Sequence, residues 1–336
     1  MVVPANRRRV QPTAEEYFQG VRSRRLSMLA RAFTLVESSS PRHQAVAEEL
    51  LTRLMPFTGN GLRVGITGAP GAGKSTFIEA FGLMLVRKGY RVAVLAVDPS
   101  SGVTGGSILG DKTRMTNLAS EADAFIRPAP SAGTLGGVAN KTRESMFIAE
   151  AAGFDVILVE TVGVGQSETM VAEMTDCFLA LMLPGAGDEL QGIKRGLLEL
   201  VDVIAVNKAD GNNREAAELA ARQYHNALDS LSKVDDGSSP AILTCSARDK
   251  IGIEAVWSAI ESRCATARES GAFENRRKQQ NLRWLWSIVE DQLRQMMHTH
   301  PGVQEICDEV ESRVLDGTLP PAAGARRLFA ALNLGS

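Results

Sequence analysis

From Leu62 onward the chain alternates between two textures. Short, nearly continuous apolar runs are separated by longer stretches in which apolar residues return every three or four positions. The runs are 63–67, 91–97, 124–127, 156–160, 178–183, 203–206 and 241–245. Unbroken apolar composition is how strands buried on both faces read. Segments 74–88, 134–152, 213–231 and 253–270 carry helical spacing. Such alternation predicts a mostly parallel central sheet with helices on both faces.

The flanks differ. Residues 13–56 are helical in pattern: Thr13-Ala14-Glu15-Glu16 reads as a capping box, and Leu26, Met28, Leu29, Ala32, Phe33 and Val36 follow at helical spacing. Ser40-Pro41 starts a second helix carrying Val46, Leu50, Leu51 and Leu54, with proline at a favoured first position. Past the break at Gly271, the basic run Arg276-Arg277-Lys278 is expected to precede a long helix. That helix places Leu282, Leu285, Trp286, Val289, Leu293 and Met296 on one stripe, with Trp284 off it. Trp286 therefore reads as core or interface. The expected division is a disordered tail at 1–12, N-terminal helices at 13–58, an α/β domain at 59–270 and a C-terminal helical region at 271–336. The last region packs either on the α/β core or on a second copy.

Composition narrows the classes. A chain of 336 residues is long enough for a large core without staples. Lys and Arg number 37 against 39 Asp and Glu, a net charge of −2, which argues against a general binder of nucleic acid or anionic membrane. Cys177, Cys245, Cys264 and Cys307 stand singly, so neither a disulfide framework nor a zinc site is expected, and a reduced cytoplasmic protein fits best. No apolar run has the length of a membrane span, and no apolar segment follows Arg7-Arg8-Arg9 as a secretory signal would require.

Two motifs carry the chemistry. Gly68-Ala69-Pro70-Gly71-Ala72-Gly73-Lys74-Ser75 fits G-x-x-x-x-G-K-[ST] between a predicted strand and a predicted helix. Glycines let the backbone N–H groups turn inward on phosphates, and the helix N-terminus adds positive potential. Lys74 is expected to reach the β- and γ-phosphates and Ser75 to offer its hydroxyl to Mg²⁺; Thr76 completes the nucleotide-binding run. Asn207-Lys208-Ala209-Asp210 follows the apolar run 203–206. Guanine presents two adjacent donors that one carboxylate accepts, so Asp210 suits guanine and not adenine. Asn207 is expected to tether the loop and face the O6/N7 side, while the Lys208 stem covers the base. Ser246-Ala247, ending the next run, resembles the element that backs guanine O6; a plain strand end reads equally well. Together these motifs favour GTP over ATP.

Carboxylates at strand ends are candidates for the metal. Glu160-Thr161-Val162-Gly163 ends one strand, with Gly163 N–H placed to meet a γ-phosphate. Asp98 ends another, and Asp111 closes the glycine-rich run 104–111. In the loop 185–196, Lys194 or Arg195 can supply transition-state charge. Lys74, Glu160, Asp111 and Lys194 are the residues expected to carry catalysis.

This constellation closely resembles the MeaB/ArgK branch of the SIMIBI P-loop GTPases, the family of the methylmalonic aciduria type A protein, over nearly the whole chain. The resemblance implies a SIMIBI-class P-loop fold with a C-terminal helical dimerisation arm. It also implies a low intrinsic GTPase acting on adenosylcobalamin-dependent methylmalonyl-CoA mutase, gating cofactor loading and protecting or reactivating that enzyme. Ser75, Asp98, Asp111 and Glu160 would cluster around Mg²⁺, the loops 98–111, 161–173 and 185–196 would act as switches, and Asp188, Gln191 and Lys194 would lie in the third. The branch's older labelling gives an alternative: an ATPase or kinase acting on periplasmic lysine/arginine/ornithine-binding proteins. A metallochaperone is a third reading, but His43, His225, His298 and His300 lie at no ligand spacing from a cysteine. A nucleotide-bound scaffold without turnover is a fourth.

Overall fold

The computed structural model describes residues 11–97, 115–128, 135–161, 166–184, 199–231 and 239–332. Every predicted apolar run is a strand, its ends shifted by at most one residue: β1 Leu62–Gly68, β2 Val92–Val97, β3 Ala124–Arg127, β4 Val156–Thr161, β5 Cys177–Met182, β6 Val203–Val206 and β7 Ala241–Thr244. They form one sheet of order β3-β2-β4-β1-β5-β6-β7, and every pairing is parallel. All strands therefore end on one edge, where an open α/β sheet carries its ligand.

Alternate residues of each strand enter two apolar layers. Ala93, Leu95, Ile157, Val159, Phe178, Ala180, Ile204 and Val206 face one layer. It is closed by the N-terminal helices α1 Ala14–Arg22, α2 Leu26–Glu37 and α3 Pro41–Leu54, and by α5 Leu135–Ala151, α6 Gln166–Ala172 and α7 Arg214–Leu231. Val64, Ile66, Val92, Val94, Leu158, Leu179 and Ala205 face the other layer, under α4 Lys74–Arg87 and α8 Ile253–Glu269. Gly65 of β1 lets α6 come close: a Cβ there would stand 2.7 Å from Phe178 and 2.8 Å from Val171.

Two expectations are corrected. The helical pattern starting at Thr13 is not one helix up to Ser40. Thr13 and Glu16 do form the capping box, but α1 stops where Arg24 takes φ 52° and Ser23 Oγ donates to Gln19 O at 2.6 Å. The side-chain bond satisfies a terminal carbonyl of α1, and the left-handed turn lets α2 fold back beside it. The basic run Arg276-Arg277-Lys278 does not precede the long helix. It lies inside α9, Ala272–Thr299, where Arg276 and Arg277 meet acidic partners.

Those partners sit on the sheet edge opposite the strand ends. Arg63 Nε and Nη2 donate to Glu150 at 2.9 Å each, and the Gly59 N–H reaches the same carboxylate at 2.9 Å. Arg277 donates to Asp176 at 2.7 and 2.6 Å and to the Gly59 and Gly61 carbonyls at 2.6 Å. Asp202 takes Arg263 at 2.6 Å and Arg276 at 3.4 Å. Glu150, Asp176 and Asp202 are buried, and their charges are balanced by these guanidinium groups, as buried ions require.

The chain divides after Arg277 into two compact units. In the second, α9 is followed by α10 Pro301–Leu315 and α11 Pro321–Ala331. Val303, Val310 and Leu319 are buried, whereas Leu282, Leu285, Trp286 and Leu293 of α9 each expose half or more of their surface. Trp284 is partly buried. The four cysteines are free thiols. Among the described residues, no helix is long and apolar enough to cross a membrane.

Candidate functional site

The strand ends of β1, β4, β6 and β7 bring most of the described candidates to one edge. After β1, Gly71 and Gly73 take φ 83° and 87°, the left-handed values that favour glycine. At Gly73 the space is also closed, since a Cβ would lie 2.9 Å from Asn207 Nδ2. Gly73 is the N-cap of α4, and no side chain caps that helix. Nor is there an acidic residue in its first turn. The first N–H groups of α4 thus remain available to an anion, with the helix dipole behind them.

Lys74 folds back over this loop, with Nζ 2.6 Å from Gly68 O and 3.4 Å from Ala69 O. Burial lowers its pKa, and the negative charges of Glu160 and Glu168 oppose that shift. Ser75 Oγ donates to Glu160 Oε1 at 3.4 Å. A hydroxyl and a carboxylate beside an anion cradle are the hard oxygen ligands that Mg²⁺ takes, with phosphate and water completing its shell. Ala69, Pro70 and Thr76 lie along the same loop and first turn, with Pro70 and Thr76 exposed.

The base loop is joined to the phosphate loop by one side chain. Asn207 is buried; its Nδ2 donates to Ala72 O at 2.8 Å and its Oδ1 accepts from the Ala247 N–H at 3.0 Å. Cys245, whose thiol pKa burial pushes up to about 12, lies with Sγ 3.7 Å from the same oxygen. Both ends of the Asn207 amide thus serve tethers between loops. Ser246 Oγ donates to Asp210 Oδ2 at 2.6 Å, and Arg248 Nη2 lies 3.5 Å from Asp210 Oδ1. Asp210 is thereby aimed from both sides, while Lys208 stands exposed at φ 61°, a strained value for a residue with a Cβ and one that clusters at functional sites.

Asp98, Asp111, Gly163 and Lys194 lie outside the described residues, as do Asp188, Gln191 and Arg195. Sequence reasoning gave no role to Thr67 and Arg248, and placed Thr161 and Glu168 only within a switch loop at 161–173, without their hydrogen-bond partners. Thr67 Oγ1 donates to Glu168 Oε1 at 2.9 Å and accepts from Thr161 Oγ1 at 3.0 Å. Glu168 had a usable signal, a carboxylate five residues past Gly163. Thr67 and Thr161 had none, because a threonine in a buried strand is indistinguishable from ordinary strand composition.

The family model described as methylmalonyl Co-A mutase-associated GTPase MeaB matches residues 29–302. This chain belongs to that family. It is 55% identical to a putative GTPase of Caulobacter vibrioides over 306 residues, covering 91% of this chain and 94% of the relative. It is 49% identical to GTPase ArgK of Escherichia coli over 318 residues, covering 95% and 96%. A crystal structure of a LAO/AO transport system kinase superposes with TM-score 0.77 at 41% identity, over 98% of both chains. As a family member the chain is a P-loop GTPase that binds guanine nucleotide and hydrolyses GTP.

Asp210 offers a direct check on base recognition. Asp210→Asn should shift preference from guanine toward xanthine nucleotides, because the amide presents a donor where guanine N1–H and N2–H₂ need acceptors. A built polar site rejects such mismatches by about 10⁴-fold or more. Competition between GDP and XDP for the purified variant measures it, and unchanged GDP affinity would remove Asp210 from the base site.

Proposed function

We propose that the chain is a regulatory GTPase for adenosylcobalamin-dependent methylmalonyl-CoA mutase, gating cofactor loading and protecting or reactivating that enzyme. In this reading it works as a Mg²⁺-dependent homodimer in the cytoplasm. The observation that carries it is the base loop tied to the phosphate loop through Asn207, in a chain of the mutase-associated family. The half-exposed apolar row of α9 supports self-association, and free thiols suit a reducing compartment.

The residues divide the work. Asp210 accepts the guanine donors, and Lys208 covers the base. The first N–H groups of α4 receive the β-phosphate, and Lys74 leaves Gly68 O for the β- and γ-phosphates. Ser75 and Glu160 would hold Mg²⁺, which would supply positive charge against the negative charge that develops on the phosphates. Asp98 and Asp111 on the metal side, Gly163 at the γ-phosphate and Lys194 as the transition-state cation complete the set by resemblance. Water adds to the γ-phosphorus, the β–γ bridging P–O bond breaks with its electrons going to GDP, and the water proton ends on the released phosphate.

The test is GTP turnover with and without methylmalonyl-CoA mutase from the same organism. Stimulation of roughly tenfold or more supports the partner, well within the range a supplied cation gives. No stimulation, with GTP still tightly bound, removes the mutase and leaves the GTPase. The name of the solved relative favours a second reading, a transport-system kinase. Phosphate transferred from ATP to a periplasmic amino-acid-binding protein would select that reading; the guanine-directed Asp210 speaks against it.

A further inference from the structure

Thr161, Thr67 and Glu168 form a directed chain of hydrogen bonds. Thr161 Oγ1 donates to Thr67 Oγ1 at 3.0 Å, and Thr67 Oγ1 donates to Glu168 Oε1 at 2.9 Å. Both threonines are fully buried. The chain ends on a carboxylate, so its last bond is charge-assisted and the whole polarises in one direction.

Each threonine stands next to a residue of the chemistry. Thr67 precedes Gly68, whose carbonyl holds Lys74 Nζ at 2.6 Å. Thr161 follows Glu160, whose Oε1 accepts from Ser75. β1 and β4 are neighbours, with Ile66 opposite Glu160, so the hydroxyl bond crosses the gap between the two strands at their ends. Glu168 sits on α6, which the bare backbone at Gly65 lets pack close against β1. Between β1 and β4 the backbone register ends at Ile66 and Glu160, and one residue further the hydroxyl bond links the two strands, while Thr67 stays in register with Ala180 of β5 and Thr161 with Val97 of β2.

We propose that Glu168 is a positioning residue for GTP hydrolysis, fixing through Thr67 and Thr161 the spacing between Lys74 and Glu160. The inference rests on the reading of Lys74 as the phosphate-side cation and Glu160 as the metal-side carboxylate. Glu168 touches neither nucleotide nor metal in this role. It sets where the groups that do so stand, and a displacement of about 1 Å in such groups costs on the order of 10²-fold in rate.

The experiment is steady-state GTP hydrolysis by the full-length chain in saturating Mg²⁺, comparing Glu168→Ala, Thr67→Val, the double variant and Glu168→Gln, with Lys74→Ala as a control. Glu168→Ala and Thr67→Val should each lower kcat by about 10–100-fold with the KM for GTP within about threefold. The double variant should be no slower than the slower single one, because both remove the same link. Glu168→Gln keeps an oxygen that accepts from Thr67 and should return kcat to within about threefold of wild type. Wild-type kcat in Glu168→Ala overturns the proposal. So does an additive double variant, or a glutamine variant as slow as the alanine one, which would assign the effect to charge. Should Thr67→Val fail to fold, with the Thr161 hydroxyl left unpaired, the two Glu168 variants decide alone. Normal turnover in Lys74→Ala would instead bring down the reading of the site itself.

Discussion

Lys74→Ala should lower GTP turnover by about 10²–10³-fold, the usual cost of removing one preorganised donor from a transition state. The Lys74 ammonium reaches over the phosphate loop, between the Gly68 carbonyl and the field of two carboxylates. Burial works against its charge there, so the structure holds a cation at a cost in solvation that a phosphate can offset. Its removal therefore leaves the fold standing: no buried acid is orphaned, since Glu160 accepts from Ser75 and Glu168 from Thr67. On the proposed reading the N–H groups of α4 still receive the β-phosphate, so GDP affinity should fall less than kcat. Phosphate release under saturating GTP measures the effect, with a thermal melt beside it. Wild-type turnover in the variant would take Lys74 out of the chemistry.

The largest expected effect on stability lies at the other edge of the sheet. Glu150→Ala should cost about 3–5 kcal/mol, the range for breaking a buried pair and leaving one charge behind. The Glu150 side chain is fully buried and Arg63 exposes 7% of its side chain. Arg63 loses two bonds and the Gly59 N–H a third. Arg277, 3.7 Å away, keeps Asp176. A loss of this size is a large part of a typical folding stability of about 5–15 kcal/mol. Added salt should leave the difference almost unchanged, because the pair is shielded from solvent ions. Urea unfolding in low and high salt tests both statements; a loss under about 1 kcal/mol would place the pair among surface bridges.

The sequence made the sheet legible because buried parallel strands have a local signature, and the runs at 156–160 and 203–206 needed no distant information. The phosphate and base loops were legible for a related reason: each is a short contiguous string whose spacing is dictated by backbone geometry. What escaped notice depends on partners far apart in the chain. Thr67 and Glu168 are separated by 101 residues, and Arg277 and Asp176 also by 101. No local pattern marks such pairs, so Arg276-Arg277-Lys278 read as a stretch before the long helix when two of its members, inside that helix, answer buried acids. The break at Arg24 escaped for a different reason, since one left-handed residue outside glycine leaves the apolar period on either side intact.

Asn207 has a consequence for how a nucleotide is captured. Its amide bolts the loop proposed to read the base to the loop proposed to cradle phosphate, so on that reading the distance between the two recognition points is set before anything binds. A nucleotide then meets a gauge of fixed length. Little ordering entropy remains to be lost at that joint on arrival, and guanosine without its phosphates fills only one jaw of a rigid caliper.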